Sequence, residues 1–451
     1  MNHQPYPKYK ESGVQWLGEV PEHWVVKRAR FNILVNPSSP ILRSLDGSIE
    51  ISFLPMDAIG AYGGLRLDQI RIKADVGNGY TEFQNGDVVV AKITPCFENG
   101  KGALAENLVN SAAFGTTEIH VLRVLQYANN RFLFYLTICD GFRRLGESEM
   151  YGAGGQKRVP PEFIKDFSMP MPTIHEQIAI ADFLDRETGR VDTLVAKNKK
   201  LIELLKEERS ALISRTVTRG LPKDAAIEYG LEPHTRFKDS GVKWLGEVPE
   251  GWEVKRLKYS ASINDEILPE TTKPDFDFLY VDIGSVTLLE GIIRKESMTF
   301  EDAPSRARRK ARAGDAIVST VRTYLRAIAS IPETDDVLIV STGFAVIRSR
   351  LLCPRYLGYA LKESSFVEQV VARSVGVSYP AVNASEIGDI AIPLPSENEQ
   401  TAIADFLDCE TGRIDNLIGK VEALITRLQE YRIAIITDAV TGKIDVREMA
   451  A

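Results

Sequence analysis

Two phrases occur twice in this chain, and their spacing limits what it can fold into. Residues 12–28 read SGVQWLGEVPEHWVVKR and residues 240–256 read SGVKWLGEVPEGWEVKR, identical at fourteen of seventeen positions. Residues 176–192 (EQIAIADFLDRETGRVD) and 399–415 (EQTAIADFLDCETGRID) also agree at fourteen of seventeen. The offsets are 228 residues for the first pair and 223 for the second. A long-period repeat takes precedence over local patterns because it sets the architecture. What separates the phrases, roughly 29–168 and 257–391, has diverged. The order is variable domain, fixed segment, variable domain, fixed segment, which predicts two similar readers on a common frame.

Length and composition narrow the class. A chain of 451 residues has room for two or three domains with sizeable cores. Apolar content of 44% and charged content of 26% are ordinary for a soluble protein. No apolar run is long enough for a membrane span, and MNHQPYPKYKESG lacks the apolar stretch of a signal peptide. Cys96, Cys139, Cys353 and Cys409 are scattered, with no C-x-x-C pair. That usage fits a reducing cytoplasm and argues against a zinc ribbon or a disulfide frame. The five histidines show no metal-ligand spacing, and His120, in a strand-like run, reads as structural. A net charge of −7 does not favour nucleic acid as a whole-chain field, so DNA binding would need local basic patches or basic partners.

The second fixed phrase opens a helix in both copies. An apolar stripe runs Val191, Leu194, Leu201, Leu205, Leu212, with Asn198 and Glu208 on the same register. The second copy runs Ile414, Leu417, Val421, Leu424, Leu428, Tyr431, Ile435. Alternating steps of three and four are the a/d pattern of a coiled coil, so the copies are expected to pack on each other. The helices should begin near Glu176 and Glu399, with Thr173 and Ser396 as capping-box partners. They should end at the VTRGLP (217–222) and VTGKID (440–445) turns, where a glycine follows the last periodic residue. About forty residues of helix span on the order of 60 Å.

The variable stretches read as α+β. The first holds β-rich runs at 49–59, 86–93 and 117–124, and the second at 277–283, 314–321 and 342–349. Helical stretches follow at Arg131–Leu145 and Pro354–Arg373. Gly86-Asp87 stands 228 residues before Gly314-Asp315, so the two share a template. These patterns partition the chain into 1–172 (first variable domain), 173–219 (first long helix), 220–236 (polar, turn-rich linker), 237–395 (second variable domain) and 396–451 (second long helix and tail).

The doubled W-L-G-E-V-P-x-x-W and E-Q-x-A-I-A-x-F-L-D-x-E-T-G-R-[VI]-D phrases, the latter opening a heptad helix each time, resemble the specificity subunit of type I restriction–modification enzymes. The resemblance covers essentially the whole chain. It implies two globular α/β target recognition domains separated by two long helices in an antiparallel coiled coil, with an approximate internal two-fold. Each domain would read one half of a split double-stranded DNA target. The helices would set the spacer and dock two methyltransferase subunits, and the family allows for restriction/translocase subunits as well. S-adenosylmethionine, ATP and magnesium would be held by those partners, with no cofactor in this chain.

The residues agree with a non-catalytic role. Val35-Asn36-Pro37-Ser38 is the nearest approach to an amine-holding [DNS]-P-P-[YFW] motif and lacks the second proline and the aromatic. No phosphate-binding G-x-x-x-x-G-K-[ST] loop is present. Two other classes remain open on sequence alone: a stand-alone two-domain DNA-binding or regulatory protein, and a complete modification enzyme with unrecognised motifs.

Candidate DNA contacts follow from chemistry. Phosphates are met by Lys, Arg, small hydroxyls and backbone amides, and base edges by Arg, Lys, Asn or Gln. In the first domain the run 92–102 offers Lys92, Thr94, Asn99 and Lys101 among turn residues, against the plainer reading of an ordinary hairpin. The glycine-rich loop 152–158 ends in Gln156, Lys157 and Arg158. In the second domain Arg306, Arg308, Arg309, Lys310 and Arg312 place five cations in seven residues, where a solvated face is the competing reading. Thr320, Arg322, Thr323, Tyr324 and Arg326 occupy the position of the 92–101 loop, and Ser378-Tyr379 that of Gln156–Arg158. Trp16, Trp24, Trp244 and Trp252 are common to both halves. They cannot explain a difference between two readers, so they read as fold or docking elements.

Overall fold

The computed structural model describes residues 4–76, 79–153, 155–333 and 337–447. The chain divides into two units, residues 1–198 with 423–451 and residues 199–422. Both have the same plan. In the first, one four-stranded sheet has the order Ile70–Ile72, Glu50–Leu54, Ala112–Gly115, Thr81–Gln84, and another the order Ile33–Val35, Ile119–Val124, Val88–Ala91, Gly102–Leu104. The second unit has the sheets Glu296–Thr299, Asp277–Val281, Leu338–Ser341, Ala307–Ala311 and Ala261–Ile263, Phe344–Ser349, Ala316–Ser319, Ile328–Ser330. Each unit has a single parallel pairing within these sheets, 113–115 on 52–54 and 338–340 on 279–281.

The repeated Gly-Asp is part of this template. Gly86 and Gly314 turn with φ of 87° and 82°, which glycine adopts without steric cost. The next carboxylate is buried in both copies and grips an arginine of the neighbouring strand with two bonds. Asp87 accepts from Arg123 at 2.7 and 2.7 Å, and Asp315 accepts from Arg348 at 2.8 and 2.7 Å. Asn36 and Asn264, both left-handed, each accept the amide of the central strand, Val121 or Val346, at 2.9 Å. Asn36 therefore serves the fold. So does His120, buried between Asn36 and the Val159 carbonyl, with burial lowering its pKa.

Each expected helical stretch is two helices. Asn130–Ile138 and Asp140–Ser148 break at Cys139, and Pro354–Lys362 and Ser364–Ala372 break at Glu363. Glu363 shows why: its backbone is extended, and its carboxylate accepts the Ser365 and Phe366 amides, capping the next helix. The 220–236 segment is less of a free linker than its composition suggests. It contains a short helix, Lys223–Glu228, that buries Ala225 and Ala226.

Two long helices complete the fold, Ile174–Arg219 and Glu397–Val440, each starting two residues before the expected position. Gly220 and Gly442 follow their ends at φ of 82° and 75°. Thr173 caps the Glu176 amide at 3.3 Å, but the Glu176 carboxylate does not return to close a capping box. Within the first unit Asp192 meets Arg432, while residues 442–447 lie by the start of the first helix. Within the second, Arg209 meets Asp415 and Gly220 lies by Glu399. In both cases the helices run antiparallel.

The heptad register needs one correction. Val191, Leu205, Ile414 and Val421 are buried as expected, but Leu194, Leu201, Leu417, Leu424 and Tyr431 are 39–46% exposed. The buried stripe instead takes Ile202 and Arg209 on one helix, and Ile418 and Arg432 on the other. The alternating step is four-then-three, not three-then-four. Arginine can occupy the stripe because each guanidinium meets an aspartate of the facing helix: Arg209 with Asp415 at 2.8 Å, Arg432 with Asp192 at 3.2 Å. Glu208 is correspondingly exposed.

Candidate nucleic-acid interface

The two fixed phrases clasp each other within each unit. Trp24, fully buried, donates its indole N–H to Glu176 at 3.0 Å, and Trp252 donates to Glu399 at 2.9 Å. Tyr6 and His23 add 2.7 and 3.1 Å contacts to Glu176, and His234 sits 2.5 Å from Glu399. That carboxylate raises the Tyr6 phenol pKa, although burial contributes more. Strand Val25–Arg28 pairs with Ser168–Met171, and Glu253–Arg256 with Ala391–Leu394, so each phrase runs to the foot of its helix. On the helices, Asp182 and Asp185 hold Arg131, as Asp405 and Asp408 hold Arg355. These contacts give the shared Trp, Glu and Asp residues of the phrases a role within the fold of each unit. Trp16 follows suit, stacked 5.0 Å from Phe167 and donating to the Ser168 carbonyl.

The divergent candidates lie elsewhere, and backbone bonds bring most of them together. In the first unit the Thr94 amide donates to the Lys157 carbonyl at 3.0 Å, and the Val159 amide to the Lys92 carbonyl at 2.9 Å. In the second, the Arg322 amide donates to Pro380 at 2.8 Å and the Val382 amide to Thr320 at 2.9 Å. Loops 92–101 and 151–158 form one surface, and loops 320–326 and 375–381 form its counterpart. The register refines the sequence alignment: Tyr379 stands opposite Gln156, and Ser378 one place earlier. The bridges Tyr151–Arg158 and Val375–Ala381 show the second loop to be one residue shorter. Gly152 and Gly376 follow the first bridge residue at φ of 142° and 118°; a Cβ at Gly152 would lie 2.5 Å from the Gln156 carbonyl. Gly154 of the first loop lies outside the described residues.

Not every candidate side chain is available at this surface. Lys101 donates its ammonium to the Met56 carbonyl at 2.8 Å. Thr323 is buried against the Ser374 hydroxyl at 2.7 Å, and Thr320 bonds the Gly343 carbonyl at 2.9 Å. Lys92 is half-buried, and the Thr94 hydroxyl makes a 3.4 Å contact to Lys157. Arg158 is bidentate on Glu118 at 2.8 Å, which draws that carboxyl below its usual range. Arg312 pairs with Glu266 at 2.5 Å and Arg326 with Glu368 at 2.6 Å. Asn99, Gln156, Lys157, Arg322, Tyr324, Ser378 and Tyr379 are exposed.

The basic run 306–312 is an edge strand, Ala307–Ala311, with a bulge between Ala307 and Arg309. Arg306 is exposed, and Lys310 is half-buried. Arg308 lies over the Phe300 ring at 4.6 Å, and the partly buried Arg309 reaches the Thr342 carbonyl at 3.4 Å. Among the described residues, no acidic side chain forms an ion pair with Lys157, Arg306, Lys310 or Arg322.

Sequence reasoning missed two features. One is the exposed aliphatic tip of the second loop, Val375 and Val377, which a search for polar readers passes over. The other is Arg143, buried behind the first loop. It donates to the Phe97 carbonyl at 2.9 Å and lies over that ring at 4.7 Å, and burial pushes its pKa down to about 10. Among the described residues no cluster of His, Cys, Asp or Glu could hold a metal, and no helix is long and apolar enough to cross a membrane.

The fixed parts of the duplicated chain thus build the fold, and its divergent loops are clasped at one surface of each unit. Residues 249–425 match the family model described as type I restriction modification DNA specificity domain. Over 176 residues the chain is 38% identical to the EcoAI specificity subunit of Escherichia coli, covering 39% of this chain and 29% of that one. It is 37% identical over 164 residues to the EcoEI specificity subunit of Escherichia coli, covering 36% and 27%. The matched stretches thus span less than a third of those relatives. The MjaVIII specificity subunit of Methanocaldococcus jannaschii matches across 98% of both chains at 22% identity. Two solved structures share the fold. One, from work on complex assembly and conformational transition of the type I R-M system, has a TM-score of 0.65 at 18% identity and covers 94% of this chain and 99% of its own. The other, the HsdS subunit from Thermoanaerobacter tengcongensis, has a TM-score of 0.53 at 18% identity, covering 94% and 98%. The chain is thus similar to the type I restriction–modification specificity subunits, most strongly over residues 249–425, which match that DNA specificity domain.

Proposed function

We propose that this chain is the DNA sequence-recognition subunit of a type I restriction–modification complex. Each unit reads one half of a bipartite double-stranded target through its clasped loops. The observation that carries this reading is the split between what is fixed and what differs. The repeated phrases are used up in Trp–Glu and Asp–Arg contacts inside each unit, so the loops at 92–101 with 151–158, and at 320–326 with 375–381, are left to discriminate. Cations with no acidic partner among the described residues, Lys157, Arg306, Lys310 and Arg322, supply phosphate contacts despite the net charge of −7.

The chain itself is non-catalytic in this reading and acts in the cytoplasm. Two methyltransferase subunits dock on the long helices, where Leu194, Leu201, Leu204, Leu417 and Leu424 leave 40–49% of their surface uncovered. A groove of about 700 Å³ beside Leu212, Ile414 and Leu417 lies on the same helices. S-adenosylmethionine is bound by those partners, and ATP and magnesium by restriction/translocase subunits where these are present.

The test is methylome sequencing of the host with and without this chain. A set of bipartite methyl-adenine sites that disappears on deletion supports the reading. An unchanged methylome overturns it.

A further inference from the structure

We propose that the second unit reads its half-site through methyl contact, with Val377 packed on the 5-methyl group of a thymine in the major groove. The inference rests on the DNA-recognition reading above and names the chemistry of one half of the target.

The segment Ser374–Ala381 holds no Arg, Lys, Asn, Gln, Asp or Glu. The donors and acceptors that normally read base edges are absent from its side chains, apart from hydroxyls. Its counterpart in the first unit ends in Gln156, Lys157 and Arg158, the last held by Glu118. Val377 is 101% exposed, Val375 80% and Tyr379 66%, so the tip presents carbon to solvent, and in register Tyr379 and Pro380 stand where the first unit has Gln156 and Lys157. Burial of apolar carbon is favourable, and an aliphatic tip held clear of its own domain needs a partner to supply it.

The surroundings say what that partner is. Arg322 lies 5.0 Å from the centre of the Tyr379 ring, so a cation sits at the root of the tip. The Thr342 amide donates to the Arg306 carbonyl and the Thr320 amide to the Gly343 carbonyl, each at 2.7 Å. The turn at Thr342–Gly343, which links the two sheets, therefore joins the cationic strand to the same surface. Arg322 and Arg326 are both left-handed, at φ of 51° and 50°, a conformation costly for residues with a Cβ and concentrated at binding sites. Aliphatic carbon beside a cation fits a polyanion that carries recessed methyl groups. In duplex DNA the thymine 5-methyl is that group, and it is displayed in the major groove. Wedges that unstack base steps use longer side chains such as Phe, Leu, Ile or Met. Valine is short and stiff at χ1, suited to lying against a methyl group rather than inserting between bases.

The test uses the full chain assembled with its methyltransferase subunits and a duplex carrying the mapped bipartite site. Each thymidine of the half-site read by the second unit is replaced in turn by deoxyuridine, which removes the methyl group and leaves base pairing intact. The expected result is a loss of affinity at one position of roughly fourfold, the order expected for one methyl-sized apolar group. In Val377→Ala the thymidine/deoxyuridine ratio at that position should fall towards one, while replacements in the other half-site act as in the unaltered chain. Val377 is wholly exposed, so this variant should fold normally. Specific binding with no deoxyuridine-sensitive position, a half-site without thymine, or sensitivity that persists in Val377→Ala would overturn the inference while leaving the recognition role intact. Loss of sequence-specific DNA binding altogether would remove the role itself.

Discussion

Replacing Glu176 by alanine should loosen the first unit and leave the second alone. The Glu176 carboxylate accepts the Trp24 indole N–H at 3.0 Å and the Tyr6 hydroxyl at 2.7 Å, and both side chains are at most 3% exposed. Removing the acceptor leaves two buried donors unpaired, at about 1–3 kcal/mol each, or roughly 2–6 kcal/mol together. His23 is half-exposed and adds little. At tenfold per 1.4 kcal/mol, amides of the Tyr9–Pro21 hairpin and of the Val25–Arg28 strand should exchange with solvent about 30- to 20,000-fold faster. Glu399 holds one deeply buried donor, Trp252, with His234 partly exposed. Glu399→Ala should therefore cost about half as much, about 1–3 kcal/mol, and its effect should appear in the second unit. Glu176→Gln keeps a carbonyl acceptor and should recover much of the loss. Hydrogen exchange read by mass spectrometry on the full chain follows both units at once. A change below about 0.5 kcal/mol in Glu176→Ala, or equal loosening of both units, would refute the clasp as the anchor of the fixed phrases.

Three further outcomes follow from the same geometry. Arg322→Ala and Arg306→Ala should weaken binding to all duplexes and lower the salt slope by roughly one each, as titrations at several salt concentrations would read. Arg326→Ala, whose guanidinium is held by Glu368, should change the slope less. Burial, helped by the nearby Arg209, pushes the Lys362 ammonium down to about 8 from 10.5. Because the unfolded chain keeps that proton up to the higher pKa, stability should rise with pH from about 8 to 10.5. Lys362→Met should flatten that rise and stabilise the second unit at pH 7, as thermal unfolding across the range would show. Arg209→Leu breaks the ion pair in the helix stripe and leaves Asp415 without its guanidinium; exchange in the second unit should accelerate, and pairing Arg209→Leu with Asp415→Leu should recover part of the loss.

The repeat made the frame legible from sequence because each fixed phrase is half of a contact. Tryptophan and glutamate recur at matched offsets since one is the donor and the other the acceptor. The long helices were legible from their period, and their ends from Gly220 and Gly442. Their facing stripe was not, because leucine occupies both Leu194 and Leu205 and only packing shows which one is buried. An arginine in that stripe looks wrong until the aspartate of the other helix is in view. At the loops, Thr323 and Asn99 are equally plausible readers by residue type, yet one is buried against Ser374 and the other is exposed. Residue type states what a side chain could bond. Whether that bond is already made within the fold depends on contacts such as Arg158 with Glu118, forty residues apart in sequence.

The central claim is that two separable readers, housed in the divergent stretches, determine two halves of one target. It is tested most directly by exchanging residues 29–168 for the corresponding stretch of a relative of different specificity and mapping methylated sites genome-wide. The account predicts that one half of the bipartite sequence changes to that of the donor, while the other half stays as it was. Simultaneous change of both halves, or no change in either by an active exchanged chain, would contradict it.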